Sequence, residues 1–322
     1  MKTRITELFG IKYPIICGGM MWLCKPELCA AISNAGGLGN ITAGNYNSGE
    51  ELREALRKTK ELTDKPFGVN ITMLPSFRIK PETYDEWFQI CCEEKVAAIE
   101  VSGAPAAKYI PMLHEAGVKV MHKVGAVRHA INIERLGYDA VLAAGIEEGG
   151  HPLNDDVTTM VLTPRIAESV SIPVITTGGI ADGRGLAAAL ALGAEGVMMA
   201  SRFIATEECQ VHPEIKAEMI RRQEMDTTLI CKTVGLQGRA LKNELVDQIL
   251  EVEARGGSLM ELMPLLTGQR SLAAWQNGDV QGATLMVGQS IGLIKEVMTC
   301  QELLDSMVKE AEEILRRNLA RF

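Results

Sequence analysis

Aromatic residues make up only 4% of the 322, and the chain holds five histidines. The core must therefore be aliphatic, and any histidine near a functional position stands out, because it alone changes charge near neutral pH. Positive charge is in deficit: 33 Lys and Arg against 41 Asp and Glu leave a net charge of −8. No surplus is available to neutralise phosphates, which argues against nucleic acid as a partner. Long apolar runs are missing; the longest, Leu186 to Leu192, is far too short to cross a bilayer. Met1 to Gly10 carries Lys2, Arg4 and Glu7 and lacks the apolar stretch of a signal peptide. No two of the cysteines (Cys17, Cys24, Cys29, Cys91, Cys92, Cys209, Cys231, Cys300) form a C-x-x-C pair, and no Cys/His cluster has zinc spacing. Reduced, mostly buried thiols in a cytoplasmic protein are expected, with no metal and no membrane partner.

What is present is glycine, at 31 residues, within a chain that is 47% hydrophobic. Short apolar runs alternate with helical stretches. Strands are expected at Tyr13–Cys17, Leu38–Ile41, Phe67–Ile71, Ala97–Val101, Val118–His122, Ala140–Ala143, Pro173–Thr176 and Gly196–Met199. Between them helices are expected over Glu27–Asn34 and Ser48–Glu61, and from Glu82, Pro105, Ala126, Pro164 and Gly183. Strand–helix alternation with short connections implies a parallel sheet clothed in helices, and about eight units imply a closed TIM (β/α)8 barrel. The competing doubly wound sheet wants a G-x-G-x-x-G turn after the first strand, whereas here Gly18-Gly19-Met20-Met21-Trp22 follows. The expected organisation is a barrel over 1–206, a mainly helical insert or lid over 207–281 and closing helices over 282–322, two of them at Ala283–Lys295 and Glu302–Arg317.

In such a barrel the strands present their C-terminal ends to one face, where chemistry occurs. Gly178-Gly179 after the seventh strand, with Ala200-Ser201 after the eighth, form a candidate phosphate cradle of backbone N–H groups and a hydroxyl. The same glycines would also suit plain tight turns. His151 follows Gly149-Gly150 at the sixth strand end and is the best candidate acid, base or hydrogen-bond donor. Lys123, at the fifth, could neutralise an anionic ligand. Trp22, Met20 and Met21 could pack on a flat cofactor or equally in the core. His129 on a helix face and His212 before Pro213 are weaker candidates.

The motifs Pro14-Ile-Ile-Cys-Gly-Gly-Met-Met-Trp22, Lys65-Pro-Phe-Gly-Val-Asn-Ile-Thr72, Glu147-Glu-Gly-Gly-His151 and Thr177-Gly-Gly-Ile-Ala-Asp-Gly183 resemble the nitronate monooxygenase (2-nitropropane dioxygenase-like) family. That superfamily also holds flavin-dependent NADH:quinone reductases and FMN-dependent enoyl-acyl-carrier-protein reductases. The resemblance implies one FMN, not covalently attached. It implies that Gly19, Met20 and Met21 line the flavin ring, that Thr72 and Lys123 contact the ring or ribityl chain, and that Gly149 approaches the ring. Gly178, Gly179, Ala200 and Ser201 would bind the FMN phosphate, and His151 would be the catalytic or substrate-positioning histidine. Three residues depart from the pattern: Cys17 where Gln is common, Ala200 where Gly is usual, and Glu148 where Ala is frequent. Ala200 is tolerable only with negative φ. The Gly-Gly-Met-x-Trp start looks more like the quinone-reductase and enoyl-reductase branches than the strict nitronate branch, and the 211–281 segment, with Glu253-Ala-Arg-Gly-Gly257 and Gly268-Gln-Arg270, also resembles the quinone-reductase branch.

Oxidation of a nitronate-type small molecule through flavin is the expected function. The alternative is an NADH- or NADPH-dependent reductase of quinones or of an activated C=C. A flavin-binding protein without turnover is the non-enzyme reading, disfavoured by a histidine at the mouth. A homodimer is among the assemblies left open.

Overall fold

The computed structural model describes residues 1–74 and 79–321. Eight parallel strands form a ring: β1 (Ile15–Cys17), β2 (Gly39–Thr42), β3 (Phe67–Met73), β4 (Ala98–Gly103), β5 (Lys119–Val124), β6 (Ala140–Ala144), β7 (Val174–Thr177) and β8 (Gly196–Met199). They pair in the order β1-β8-β7-β6-β5-β4-β3-β2. The ring closes through a parallel bridge between Ile16 and Leu38. Cys17 N–H donates to Leu38 O and Leu38 N–H to Ile15 O, each at 2.9 Å. Asn40 Nδ2 adds a side-chain rung to Cys17 O at 2.5 Å. This is a TIM barrel, and every expected strand is in it.

Helix α1 (Arg4–Phe9) precedes β1, and α2 (Pro26–Asn34), α3 (Gly49–Leu62), α4 (Pro81–Glu93), α5 (Ile110–Glu115), α6 (Val127–Arg135), α7 (Thr159–Ala167) and α8 (Gly183–Ala191) connect the strands. Local chemistry sets their ends. Ser48 caps α3 by accepting from Glu51 N–H at 3.2 Å, and Asp182 caps α8 by accepting from Arg184 and Gly185 N–H groups. Helix α3 then buries Leu52, Ala55, Leu56 and Thr59, which recur at helical spacing. Ile5 and Phe9 of α1, with Ile11, plug the bottom of the barrel against Ile16, Leu38, Ala98, Met121, Leu142, Ile175 and Met198.

Beyond β8 come α9 (Ser201–Ile204), α10 (Pro213–Arg221), β9 (Thr227–Ile230), β10 (Gly238–Leu241), α11 (Glu244–Ala254), α12 (Leu259–Leu262), α13 (Gly268–Asn277) and α14 (Cys300–Leu319). Helices dominate this part, but β9 and β10 pair antiparallel, an element absent from the sequence reading. Two further expectations need correction. The helix expected to start at Pro164 begins at Thr159, with the proline inside it. No α-helix covers Ala283–Lys295; only a 3-10 stretch, Gln289–Leu293, forms. The reason is tertiary: the segment gives its hydrogen bonds to other elements, with Leu285 O accepting from Leu241 N–H at 2.9 Å and Gln289 N–H donating to Glu147 O at 3.0 Å, and it runs so close to the β6 loop that a Cβ at Gly288 would lie 2.7 Å from Glu147 O. Helix α14 closes the molecule against α8, where a Cβ at Gly183 would stand 2.4 Å from Met307 O.

Candidate active site

Above the apolar plug, inward-facing positions turn polar toward the C-terminal strand ends. Asn70 and Glu100 face each other in register on β3 and β4. Asn70 Nδ2 donates to Glu100 Oε2, and Ser102 Oγ donates to Glu100 Oε1 at 2.5 Å. Glu100 is 2% exposed. Burial raises its pKa, against the opposing pull of Ser102, Lys123 and Asn70.

Lys123 reaches into the same mouth from β5. Its ammonium donates to Glu148 Oε1 at 2.9 Å and to His151 O at 3.1 Å. Burial pulls the Lys123 pKa down, but the charge and hydrogen bond of Glu148 and the charge of Glu100 win, so it stays protonated. Glu148 is pushed up by burial, with Lys123 opposing and Glu100 adding repulsion. One ammonium thus stands between two buried carboxyls, which together resist a second negative charge. Lys123 is paired: the Glu148 carboxylate already offsets part of the charge that could neutralise an anionic ligand.

The β6 loop carries His151. Glu147 anchors the loop by accepting from Thr159 N–H at 3.0 Å at the start of α7. Gly149 is required by packing: a Cβ there would lie 2.5 Å from both Gly288 N and Val287 C. Gly150 turns the chain with φ 84°. His151 is exposed as a residue, and its ring Nδ1 lies 3.1 Å from Gln237 O. A carbonyl only accepts, so Nδ1 carries the proton and the Nε2 lone pair remains. Crowding by protein lowers the His151 pKa from 6.5, with the Gln237 bond opposing and the Lys123 charge assisting. The direction favours a neutral ring.

Gly178 and Gly179 follow β7 with φ 99° and 75°. A Cβ at Gly178 would meet Gly145 O and Thr159 Oγ1 at 3.0 Å, while that of Gly179 finds only Glu147 Cβ, at 3.9 Å. Ala200, with φ −127°, meets the condition set for a non-glycine residue there. Ser201 Oγ accepts from Gly288 N–H at 2.9 Å, which leaves its own proton to donate. On the opposite side Gly19 is exposed, and its Cβ position coincides with the Asn70 side chain, 2.2 Å from Cγ. Met20 is buried, with its N–H on Thr42 Oγ1 at 3.1 Å. Met21 is 43% exposed. Thr72 Oγ1 lies 3.5 Å from Asn70 Oδ1.

Gly19, Met20, Met21, Thr72, Lys123, Gly149, His151, Gly178, Gly179, Ala200 and Ser201 thus lie at or just after the C-terminal ends of the barrel strands. His122, by contrast, points outward, edge-on to Tyr138 at 5.2 Å between ring centroids, and His129 is exposed on α6. Sequence reasoning missed Glu100 and Ser102 on β4, and Gln237 and Arg239 on the hairpin. The signal for Glu100 was its position: a carboxylate at an inward step of an otherwise apolar strand.

The nitronate monooxygenase family model matches residues 2–310. The chain belongs to this family. A probable nitronate monooxygenase of Staphylococcus saprophyticus is 32% identical, covering 98% of this chain and 99% of the relative. An indene-carboxyl-CoA dehydrogenase of Rhodococcus jostii is 35% identical over 97% of this chain and 96% of its own length. Among solved structures, FabK from Thermotoga maritima superposes with a TM-score of 0.93 at 39% identity, covering 100% of both chains. This family member is an oxidoreductase, and no helix among its described residues is long and apolar enough to cross a membrane.

Proposed function

We propose that this chain binds FMN at the barrel mouth and oxidises a nitronate-type substrate there, with His151 as the acid–base or orienting group. One observation carries the reading: His151, at a strand end, has its Nδ1 proton directed at Gln237 O and its Nε2 left as an acceptor. A neutral imidazole so held can take the α-carbon proton of a parent nitroalkane, which generates the nitronate beside the flavin site.

The residues fit the cofactor. The positive-φ turn at Gly178-Gly179 presents backbone where side chains would intrude, and the Ser201 hydroxyl retains a proton to donate. These, with Ala200, would hold the phosphate; Gly19, Met20, Met21, Thr72, Lys123 and Gly149 would frame the ring and ribityl chain. FMN, when bound, supplies the two-electron chemistry that side chains lack. The chain's part is to orient the substrate, to keep Lys123 charged beside it and to offer Nε2 as proton acceptor. Eight free thiols are consistent with a cytoplasmic setting.

The likeness to FabK favours a second reading: an NADH- or NADPH-dependent reductase of an activated C=C. Anaerobic mixing separates the two. The purified protein should be yellow, with about one FMN per chain. On the first reading an alkyl nitronate bleaches the flavin within the time of a turnover. Bleaching by NADH or NADPH alone, with recovery on adding an enoyl thioester, would replace it by the second. A colourless protein that takes up no FMN defeats both.

A further inference from the structure

Strand β10 pairs with β9 along one edge, and an unpaired second edge would expose a row of main-chain donors and acceptors. The β6 loop covers it at Arg239, and Leu285 O takes the Leu241 N–H at 2.9 Å. Gly150 N–H donates to Arg239 O at 3.2 Å and Arg239 N–H returns to Gly150 O at 2.7 Å, an antiparallel bridge. Gln237 Nε2 donates to Leu153 O at 3.3 Å, two residues past His151, whose Nδ1 rests on Gln237 O.

Arg239 fastens this junction. It is 6% exposed. Its Nε donates to Ile146 O at 3.1 Å, at the start of the β6 loop, and its Nη1 to Thr227 Oγ1 at 3.1 Å, on β9. One guanidinium thus ties the loop and both hairpin strands together, with the fixed fork geometry that Lys cannot reproduce. The Gln237 carbonyl stays opposite His151 only while that register holds.

We propose that Arg239 is a positioning residue for the reaction, holding the hairpin edge so that Gln237 O keeps His151 in its Nδ1–H tautomer. This rests on the reading of His151 as the acid–base group, and the test separates the two. The holoprotein labelled with 15N-histidine reports the tautomer directly; the His151 signal is assigned by its loss in His151→Ala. Wild-type protein should show an Nδ1–H pattern at neutral pH. Arg239→Met should convert it to a mixture while FMN stays bound, and kcat should fall roughly 10²-fold, as for displaced catalytic geometry. In a His151→Ala background Arg239→Met should cost less than about twofold more, since it acts through that ring. Arg239→Lys should restore part of the activity. Thr227→Val, which removes only the Nη1 acceptor, should shift the tautomer in the same direction and serves if Arg239→Met does not fold. An unchanged Nδ1–H signal in every folded variant overturns the proposal, as does a full additive loss in the double variant. Full turnover in His151→Ala instead defeats the acid–base reading, while the tautomer signal still decides the role of Arg239.

Discussion

At the scale of single residues, the mouth is a contest between burial and pairing. Lys123 keeps its charge because Glu148 and Glu100 flank it. His151 has only a hydrogen bond to resist neutralisation, and loses. A base must be neutral to accept a proton, so a depressed pKa keeps His151 competent at pH 7, and activity should fall as pH drops below its pKa. The acidic limb of kcat/KM is therefore expected below pH 6.5, the ordinary histidine value. His151→Ala should retain FMN and fold, and lower turnover by roughly 10²–10⁴, the usual worth of a positioned acid or base. His129→Ala, on the exposed face of α6, should cost little. Steady-state rates with an intact flavin spectrum decide the matter; near-normal turnover in His151→Ala would remove the role.

Among elements, the β6 loop has the most demanding surroundings. Gly149 and Gly150 are neighbours required for different reasons. An added Cβ at Gly149 would meet backbone of Val287 and Gly288 at 2.5 Å, whereas at Gly150 nothing lies within 4 Å and only φ 84° objects. Gly150→Ala should cost about 1–2 kcal/mol of left-handed strain. Gly149→Ala should cost more and loosen FMN, because it drives the 287–288 segment away from Ser201. Thermal unfolding and flavin release compare the pair; equal losses would show that the close approach is not maintained in solution.

The same elements show what a sequence can and cannot disclose. The barrel strands were legible because each is an apolar run stopped by glycine or a polar turn, and His151, Gly178 and Ser201 were legible because they follow such runs. The segment Ala283–Lys295 was misread because Leu285, Val287, Ile291 and Ile294 look like the buried stripe of a helix. Here they pack an irregular chain into the main core instead. The hairpin escaped notice because β9 and β10 are four residues each, one of them containing the buried Arg239. Glu100 is a lone carboxylate in an apolar strand, and only the alternation along β4 shows that it faces inward.

For the molecule as a whole, one buried histidine couples stability to acidity. His122 is 3% exposed, and its Nδ1 has no partner among the described residues. Burial, only partly offset by a bond to the Gly103 backbone, lowers its pKa from 6.5 to about 4. Above pH 6.5 the ring is neutral whether folded or not, and contributes no pH dependence. Below it the unfolded chain gains a proton that the folded one refuses, so stability falls between pH 6.5 and about 4. The total is roughly 3 kcal/mol. Urea unfolding of wild type and His122→Phe at pH 7 and pH 5 should show the wild type losing about 2 kcal/mol more on acidification. Parallel pH dependences would mean that His122 is charged in the fold or solvated.

The closure between β1 and β2 has a consequence of its own. Seven of the eight junctions in the ring are strand ladders, but this one is a single bridge assisted by the amide of Asn40. A hoop yields at its clasp, and the clasp here runs straight into the Gly18–Met21 turn. Slackening it would disturb the wall nearest the proposed flavin ring while the other junctions still held. Colour would then leave the protein before its shape did, and an apoprotein that still looks folded is what gentle denaturation should yield.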